Sequence, residues 1–367
     1  MATTAPAAGS RPPSPPTIKD IAARAGVSIS TVHYALNRTR PISEDTRRRV
    51  LAAVQELDYQ PHAGAATLPS GRTGRLAVVI GGIEPAFANT YFSDFIRGLA
   101  AAAEEEEHTV VLYTAYGRRA AEGWRPAHIL RRREADGVLL VGTQISEDHL
   151  AELADHGWPA VVLNREHPTL PWVVADRRQG THLATDHLLS LGRSRVGLLL
   201  AAFRGGAPAA ERPELAGFRD AFAAQERSID ESLVREAAVG VALGDLGEAA
   251  TRSLIRTVRA GAAPGRAGLV VFSYTLAPGA TRAVAASGVH VPDELALVMG
   301  DEDPDTRETL PVPATTVQAP KFEMAQAAAR LLLRLVRREE VPRAERTQRF
   351  PMQLQVRWSC GARGATC

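Results

Sequence analysis

From residue 76 onward one pattern rules the chain: short, unbroken apolar runs separated by stretches of helical periodicity. Runs 76–80 (LAVVI), 110–113 (VVLY), 137–141 (GVLLV) and 160–163 (AVVL) are followed by 196–200 (VGLLL), 268–272 (GLVVF) and 295–299 (LALVM). A strand with one face in water alternates apolar and polar residues. A run without polar positions needs cover on both faces, as strands of a parallel sheet have. Helical patterns at 91–107, 124–133, 147–156, 180–191, 214–225, 247–259 and 278–287 can supply that cover. The alternation predicts an α/β fold with parallel sheets flanked by helices. The pattern restarts around Asp176. Two similar α/β units are therefore expected, forming a two-lobed body over 76–359 with a ligand cleft between the lobes.

The segment ahead of this body is of a different kind. Residues 1–16 are Ala, Thr, Pro, Gly and Ser with a single Arg after the initiator Met, and read as a disordered tail. Residues 17–61 read as a small helical domain and 62–75 as a hinge or linker. The formal charge of the whole chain is +2. Residues 1–76 hold ten Lys/Arg against five acids, so this head carries +5 and the remainder −3. A basic head on a slightly acidic body suits a polyanionic partner.

Thr17-Ile18-Lys19-Asp20 fits a variant capping box, with Asp where Glu or Gln is usual. Ile18, Ile21, Ala22 and Ala25 then share one helical face, and Gly26 ends the helix. Ser28 restarts a helix as N-cap. Val32, Ala35 and Leu36 form its inner face, and Ile29, Ser30, His33 and Tyr34 its outer face. A third helix starts at Ser43, with an apolar stripe of Val50, Val54 and Leu57 behind Arg47, Arg48 and Arg49. Two short helices around a Gly turn, closed by a third, form either an ordinary three-helix bundle or a helix-turn-helix. The short polar and aromatic outer face of the second helix favours the helix-turn-helix, whose recognition helix meets base edges with its N-terminal residues.

The segments DIAARAGVS, STV, LN, ISEDTRRRV and LDYQP lie within an ungapped stretch, 17–68, that resembles the DNA-binding region of the lactose-repressor (LacI/GalR) family of bacterial regulators. The resemblance implies that Ile29, Ser30 and Tyr34 read bases. It implies that Thr17, Ser28, Thr31 and Asn37 contact phosphates or set the docking. Position 34 is often Arg in the family, a bidentate reader of guanine. Here it is Tyr, and His33 stands where Ser is usual, so a different operator is implied. In the hinge, Leu68 matches a wedge residue that enters the minor groove and bends the duplex. His62 replaces the usual Asn, and Gly64 weakens a hinge helix by about 1 kcal/mol relative to Ala. A plain flexible linker is the alternative.

The resemblance extends more weakly into the body through DGVLLVG, DHLLSLGRSRVGLLL, LAGFRDAF and TTVQAP. It implies a body like a periplasmic sugar-binding protein, which dimerises and holds an effector. Asn89, Tyr91 and Phe92 match the cleft edge, and Asp176 a lobe crossing. Arg212 matches an Arg that clamps effector hydroxyls or carboxylates. Asp301 matches the first Asp of a Gly-Phe-Asp-Asp motif. Ser273-Tyr274 replaces an Asn-Asp pair, so a carboxylate that binds sugar hydroxyls is missing and Tyr274 takes its place. For Arg212 and Asp301, ordinary surface charge is the alternative.

Other functions find less support. No stretch reaches the roughly 20 uncharged apolar residues of a membrane span. Transport by an exported solute-binding protein would need a signal sequence, and the N-terminal pattern is not one. An enzyme would need a motif such as HExxH or GxSxG, which the sequence lacks, or a paired carboxylate or triad, and the sequence places none in one site. Gly81-Gly82 and 70–74 lack nucleotide-binding spacing. Cys360 and Cys367 read as incidental thiols on a frayed tail, 360–367, without metal-ligand spacing. The run 104–107 of four Glu reads as a solvated face. The expectation is therefore a cytoplasmic, nucleoid-associated transcriptional repressor without cofactor, metal or enzymatic activity. Its partners are double-stranded operator DNA, a second copy of itself, and a small-molecule effector such as a sugar or related metabolite.

Overall fold

A computed structural model describes residues 16–37, 40–59, 72–80, 92–114, 125–141, 145–203, 212–239, 247–260, 263, 265–273, 275–300 and 312–362. The chain divides into two compact units, 1–73 and 74–367.

The first unit holds α1 (Ile18–Ala25), α2 (Ile29–Asn37) and α3 (Glu44–Glu56). Asp20 Oδ2 accepts hydrogen bonds from the Thr17 backbone N–H and hydroxyl, each at 2.7 Å, closing the N-terminus of α1. Gly26 ends α1 at φ +64°, a left-handed conformation that a side chain would strain. Ser28 Oγ accepts from the Thr31 N–H at 3.1 Å and starts α2. Ser43 Oγ accepts from the Thr46 N–H at 3.2 Å and starts α3. The core is Ile21, Ala22, Ala25, Val32, Ala35, Val50, Ala53 and Tyr59, with Leu36 partly buried against it. Arg24 and Glu56 tie α1 to α3 at 2.6 Å.

The second unit is built on twelve strands among the described residues. They are β1 (Arg75–Ile80), β2 (Thr109–Thr114), β3 (Gly137–Val141), β4 (Ala160–Leu163), β5 (Trp172–Ala175) and β6 (Arg195–Phe203). There follow β7 (Val234–Val239), β8 (Ala267–Val271), β9 (Leu295–Gly300), β10 (Thr315–Gln318), β11 (Thr347–Phe350) and β12 (Gln353–Gln355). One sheet runs β11-β5-β4-β3-β1-β2 and the other β12-β10-β9-β8-β6-β7. Every pairing is parallel except that of β12 with β10. Strands β3, β4, β8 and β9 are buried at every residue, as their unbroken apolar runs require.

Helices α4 (Ser93–Glu104), α5 (Ala127–Arg131) and α6 (Glu147–Asp155) accompany the first sheet. Helices α7 (Arg177–Ser190), α8 (Pro213–Ala224), α9 (Glu248–Ala260) and α10 (Ala277–Ala286) accompany the second. Then α11 (Lys321–Val336) turns back to pack on α4, β3 and β4, and α12 (Arg343–Arg346) leads into β11. The lobes are therefore not two consecutive halves. The chain passes between sheets after β5, between β10 and α11, and between β11 and β12. Strands β5, β7, β10, β11 and β12 and helix α11 have no counterpart among the runs read from the sequence. Short, partly polar strands such as β11 and β12 owe their state to pairing.

Close approach of helices sets the second lobe. A Cβ at Gly217 of α8 would lie 1.9 Å from the Arg178 carbonyl oxygen of α7. Only Gly allows the two backbones that near. The C-terminal segment differs from expectation: Cys360 is fully buried, and its Sγ lies 3.2 Å from the Arg357 carbonyl oxygen. It belongs to the folded body and not to a frayed tail. Cys367 lies outside the described residues. The acidic run 104–107 is exposed as expected, but Glu105 pairs with Arg330 of α11 at 3.1 Å and Glu106 with Arg337.

Candidate DNA-reading face and effector site

In the first unit, α2 is anchored by Val32 and Ala35, 0% and 3% exposed. The opposite side carries Ile29, 45% exposed, with Ser30 exposed and His33 and Tyr34 half-buried. The rings of His33 and Tyr34 meet edge to face with centroids 6.4 Å apart. Thr31 shares its hydroxyl with Ser28 at 2.8 Å. Thr17, Ser28 and Thr31 thus sit at helix starts, where unpaired backbone N–H groups favour an anion such as phosphate. Asn37 is the last residue of α2. His62 and Leu68 lie outside the described residues. The structure adds Arg40, whose guanidinium carbon is 5.3 Å from the centroid of the Tyr34 ring. Its position after the helix carries no sequence signal of that contact. Arg47, Arg48 and Arg49 pair with Glu44 or Asp45 on their own helix, as i,i+3 and i,i+4 spacing allows.

In the second unit, the strand order reverses beside β1 in one sheet and beside β6 in the other. A crevice outside the carboxyl ends of strands at such a switch is the usual ligand position in open α/β sheets. In the chain, residues 81–91 come after β1 and 204–211 after β6. Asn89 and Tyr91 fall in the first of these segments and lie outside the described residues, as do Tyr274 and Asp301. Phe92 is 4% exposed and packs against Phe95 in the core, ring centroids 6.2 Å apart. Asp176 is the N-cap of α7, accepting from the Gln179 N–H at 3.0 Å, while its own N–H donates to the Phe350 carbonyl at 2.7 Å. Gln179 exchanges side-chain hydrogen bonds with the backbone of Met352. Two of the chain's crossings are thereby held side by side.

Arg212 is not surface charge; its side chain is 11% exposed. Its Nη1 donates to the Ala201 carbonyl at 2.6 Å and to Glu236 at 2.9 Å. Its Nε is 3.6 Å from Glu214. Glu214, with 6% of its side chain exposed, also accepts from Arg177 Nε at 2.5 Å. Burial pushes the Glu214 carboxyl up, but the Arg177 and Arg212 guanidiniums outweigh it and hold the group below the usual carboxylate range. Arg177 in turn lies over the Phe272 ring, 5.2 Å from its centroid. Arg177 comes two residues after β5 and Phe272 directly after β8, so this contact lies beside the carboxyl ends of those two strands. Next to Phe272, the buried Ser273 hydroxyl is 2.7 Å from that of Thr275.

Arg177, Glu214, Arg212 and Glu236 thus form a chain of alternating charges. Only Arg212 of these was read from the sequence. Glu214 follows Pro213 in a first helical turn, where an acid is ordinary, so nothing local marks its burial. Among the described residues no His/Cys/Asp/Glu group could hold a metal ion, and no helix is long and apolar enough to cross a membrane.

Residues 17–62 match the family of bacterial regulatory proteins called lacI, and 185–360 match a periplasmic binding protein-like domain. The transcriptional regulator DegA of Bacillus subtilis is 30% identical over 314 residues, which cover 84% of this chain and 88% of DegA. The solved complex of the transcriptional regulator CelR with cellobiose aligns with a TM-score of 0.66 at 27% identity, covering 94% of this chain and 99% of that one. The Lac repressor dimer bound to operator and the anti-inducer ONPF shares the fold, with a TM-score of 0.74 at 24% identity over 95% of this chain and 100% of that one. With the helix-turn-helix head, the two-sheet body and these relatives agreeing from end to end, the chain belongs to the lacI family of bacterial regulatory proteins.

Proposed function

We propose that the protein is a transcriptional repressor that binds operator DNA as a homodimer and responds to a small-molecule effector held in its two-lobed body. The observation that carries this reading is the face of α2. Ile29, Ser30, His33 and Tyr34 stand outward on a helix capped by Ser28 and seated by Val32 and Ala35. Such a helix can lie in a major groove with those side chains toward base edges. Thr17, Ser28, Thr31 and Asn37 contact phosphates or set the docking, and His62 and Leu68 act in the hinge, Leu68 as a minor-groove wedge. Two heads in one dimer match two half-sites.

The effector site takes Asn89, Tyr91, Phe92, Asp176, Arg212, Tyr274 and Asp301. The cellobiose in the CelR complex supports a sugar or related metabolite as effector. The effector acts by preferring one lobe arrangement while DNA prefers the other. The protein works in the cytoplasm at the nucleoid and performs no catalysis.

Gel-shift of the full chain against genomic fragments, at several salt concentrations, tests the reading. Tight binding to a small subset is expected, with affinity falling steeply as salt rises, because phosphate contacts release counterions. Equal binding to every fragment, or none, would overturn it.

A further inference from the structure

We propose that Arg40 is a base-reading residue of the head, held at the reading face by the ring of Tyr34. The inference rests on the DNA-binding function above. Among the described residues of the head, Arg24 pairs with Glu56, Arg47 with Glu44, and Arg48 and Arg49 with Asp45. Arg40 has no carboxylate partner among the described residues. Its contact is the face of Tyr34, at 5.3 Å. An exposed arginine with no contact samples many rotamers and pays to order them on binding. A ring beneath the guanidinium restricts that sampling before DNA arrives.

The chemistry fits a division of labour. A phenol offers one hydroxyl and no forked donor, so Tyr34 alone cannot grip two acceptors side by side. A guanidinium can, and its fork matches O6 and N7 of guanine. Cation–π contact engages the charge through the ring and leaves the N–H donors available to a partner. Tyr34 therefore supplies apolar surface and support, and Arg40 supplies the donors. The guanine contact that the family resemblance would lead one to seek from an Arg at position 34 is delivered here from position 40.

A phosphate contact is the competing role for any exposed arginine, and it predicts different data. Phosphate contacts weaken all sequences alike, while base contacts alter preference at one position. The test uses the full chain and an operator selected from genomic fragments, with each base pair replaced in turn. Wild type should lose about tenfold or more in affinity when one particular G·C pair is replaced. Arg40→Ala and Tyr34→Leu should bind the operator more weakly and lose discrimination at that pair alone. Tyr34→Phe keeps the ring and should keep the discrimination. Arg40→Lys keeps the charge but not the fork, and should lose it.

Two results would overturn the proposal. In one, Arg40→Ala weakens every sequence equally and lowers the salt slope by about one, the mark of a phosphate contact. In the other, Arg40→Ala retains full discrimination at every pair. Wild type without sequence preference would refute the regulator function itself and this inference with it, whereas a specific wild type with an indifferent Arg40 refutes only the inference.

Discussion

Replacing Glu214 tests the charge network that joins the start of α8 to the start of α7. The side chain is 6% exposed and lies between Arg177, 33% exposed, and Arg212, 11% exposed. Truncation to Ala leaves two guanidiniums without their shared carboxylate. Breaking a fully buried pair costs about 3–5 kcal/mol, and the partial exposure of Arg177 places this case near the lower end, about 3 kcal/mol. Glu214→Gln keeps the shape and one acceptor oxygen, so about 1–2 kcal/mol is expected. The pH dependence separates charge from shape. The folded carboxyl is held below its ordinary range, so its contribution is complete above about pH 4.3, the unfolded value. It fades as pH falls through the folded value. Urea unfolding of wild type and Glu214→Gln from pH 7 to pH 3.5 reads the difference. The deficit of the Gln variant should be constant near neutrality and shrink below about pH 4.3. A Gln variant as stable as wild type at pH 7, or a deficit undiminished at pH 3.5, would refute the argument that the ionised carboxylate holds the two arginines.

Further outcomes follow from packing and capping. Gly217→Ala places a Cβ 1.9 Å from the Arg178 carbonyl oxygen and should destabilise the body by about 3 kcal/mol or more; a urea midpoint equal to wild type would show that α7 and α8 can part without cost. Ser28→Ala removes the acceptor for the Thr31 N–H and should cost about 1 kcal/mol. Hydrogen exchange would then report amides of α2 opening about fivefold faster, and unchanged protection would show that the cap is not holding the helix.

Much of this protein is legible from one dimension. The start of each head helix follows from Thr17, Ser28 and Ser43, because a cap is a bond between near neighbours. The outer face of α2 follows from helical periodicity, and the central strands from apolar runs that need cover on both sides. The candidate effector site is less legible. Arg212 was marked by the family resemblance, but its partners Glu214 and Glu236 look like ordinary surface acids. Arg177 is separated from Glu214 by 37 residues, and no local pattern announces their meeting. Phe92, read as part of a cleft-edge motif, is 4% exposed and packs against Phe95, a burial that its neighbours in the chain do not announce.

The sequence by itself determined the kind of each domain, the helix caps, the inward faces and the order of the central elements. These depend on periods of two or 3.6 residues and on bonds spanning three or four. Tertiary structure decided which lobe each element joins. It returned α11 and β11 to the first sheet, buried Cys360, set Arg40 on Tyr34, and made Glu214 the link between Arg177 and Arg212. Those outcomes depend on which distant backbones come close enough to pair or pack, and such contacts leave no periodic trace in the chain.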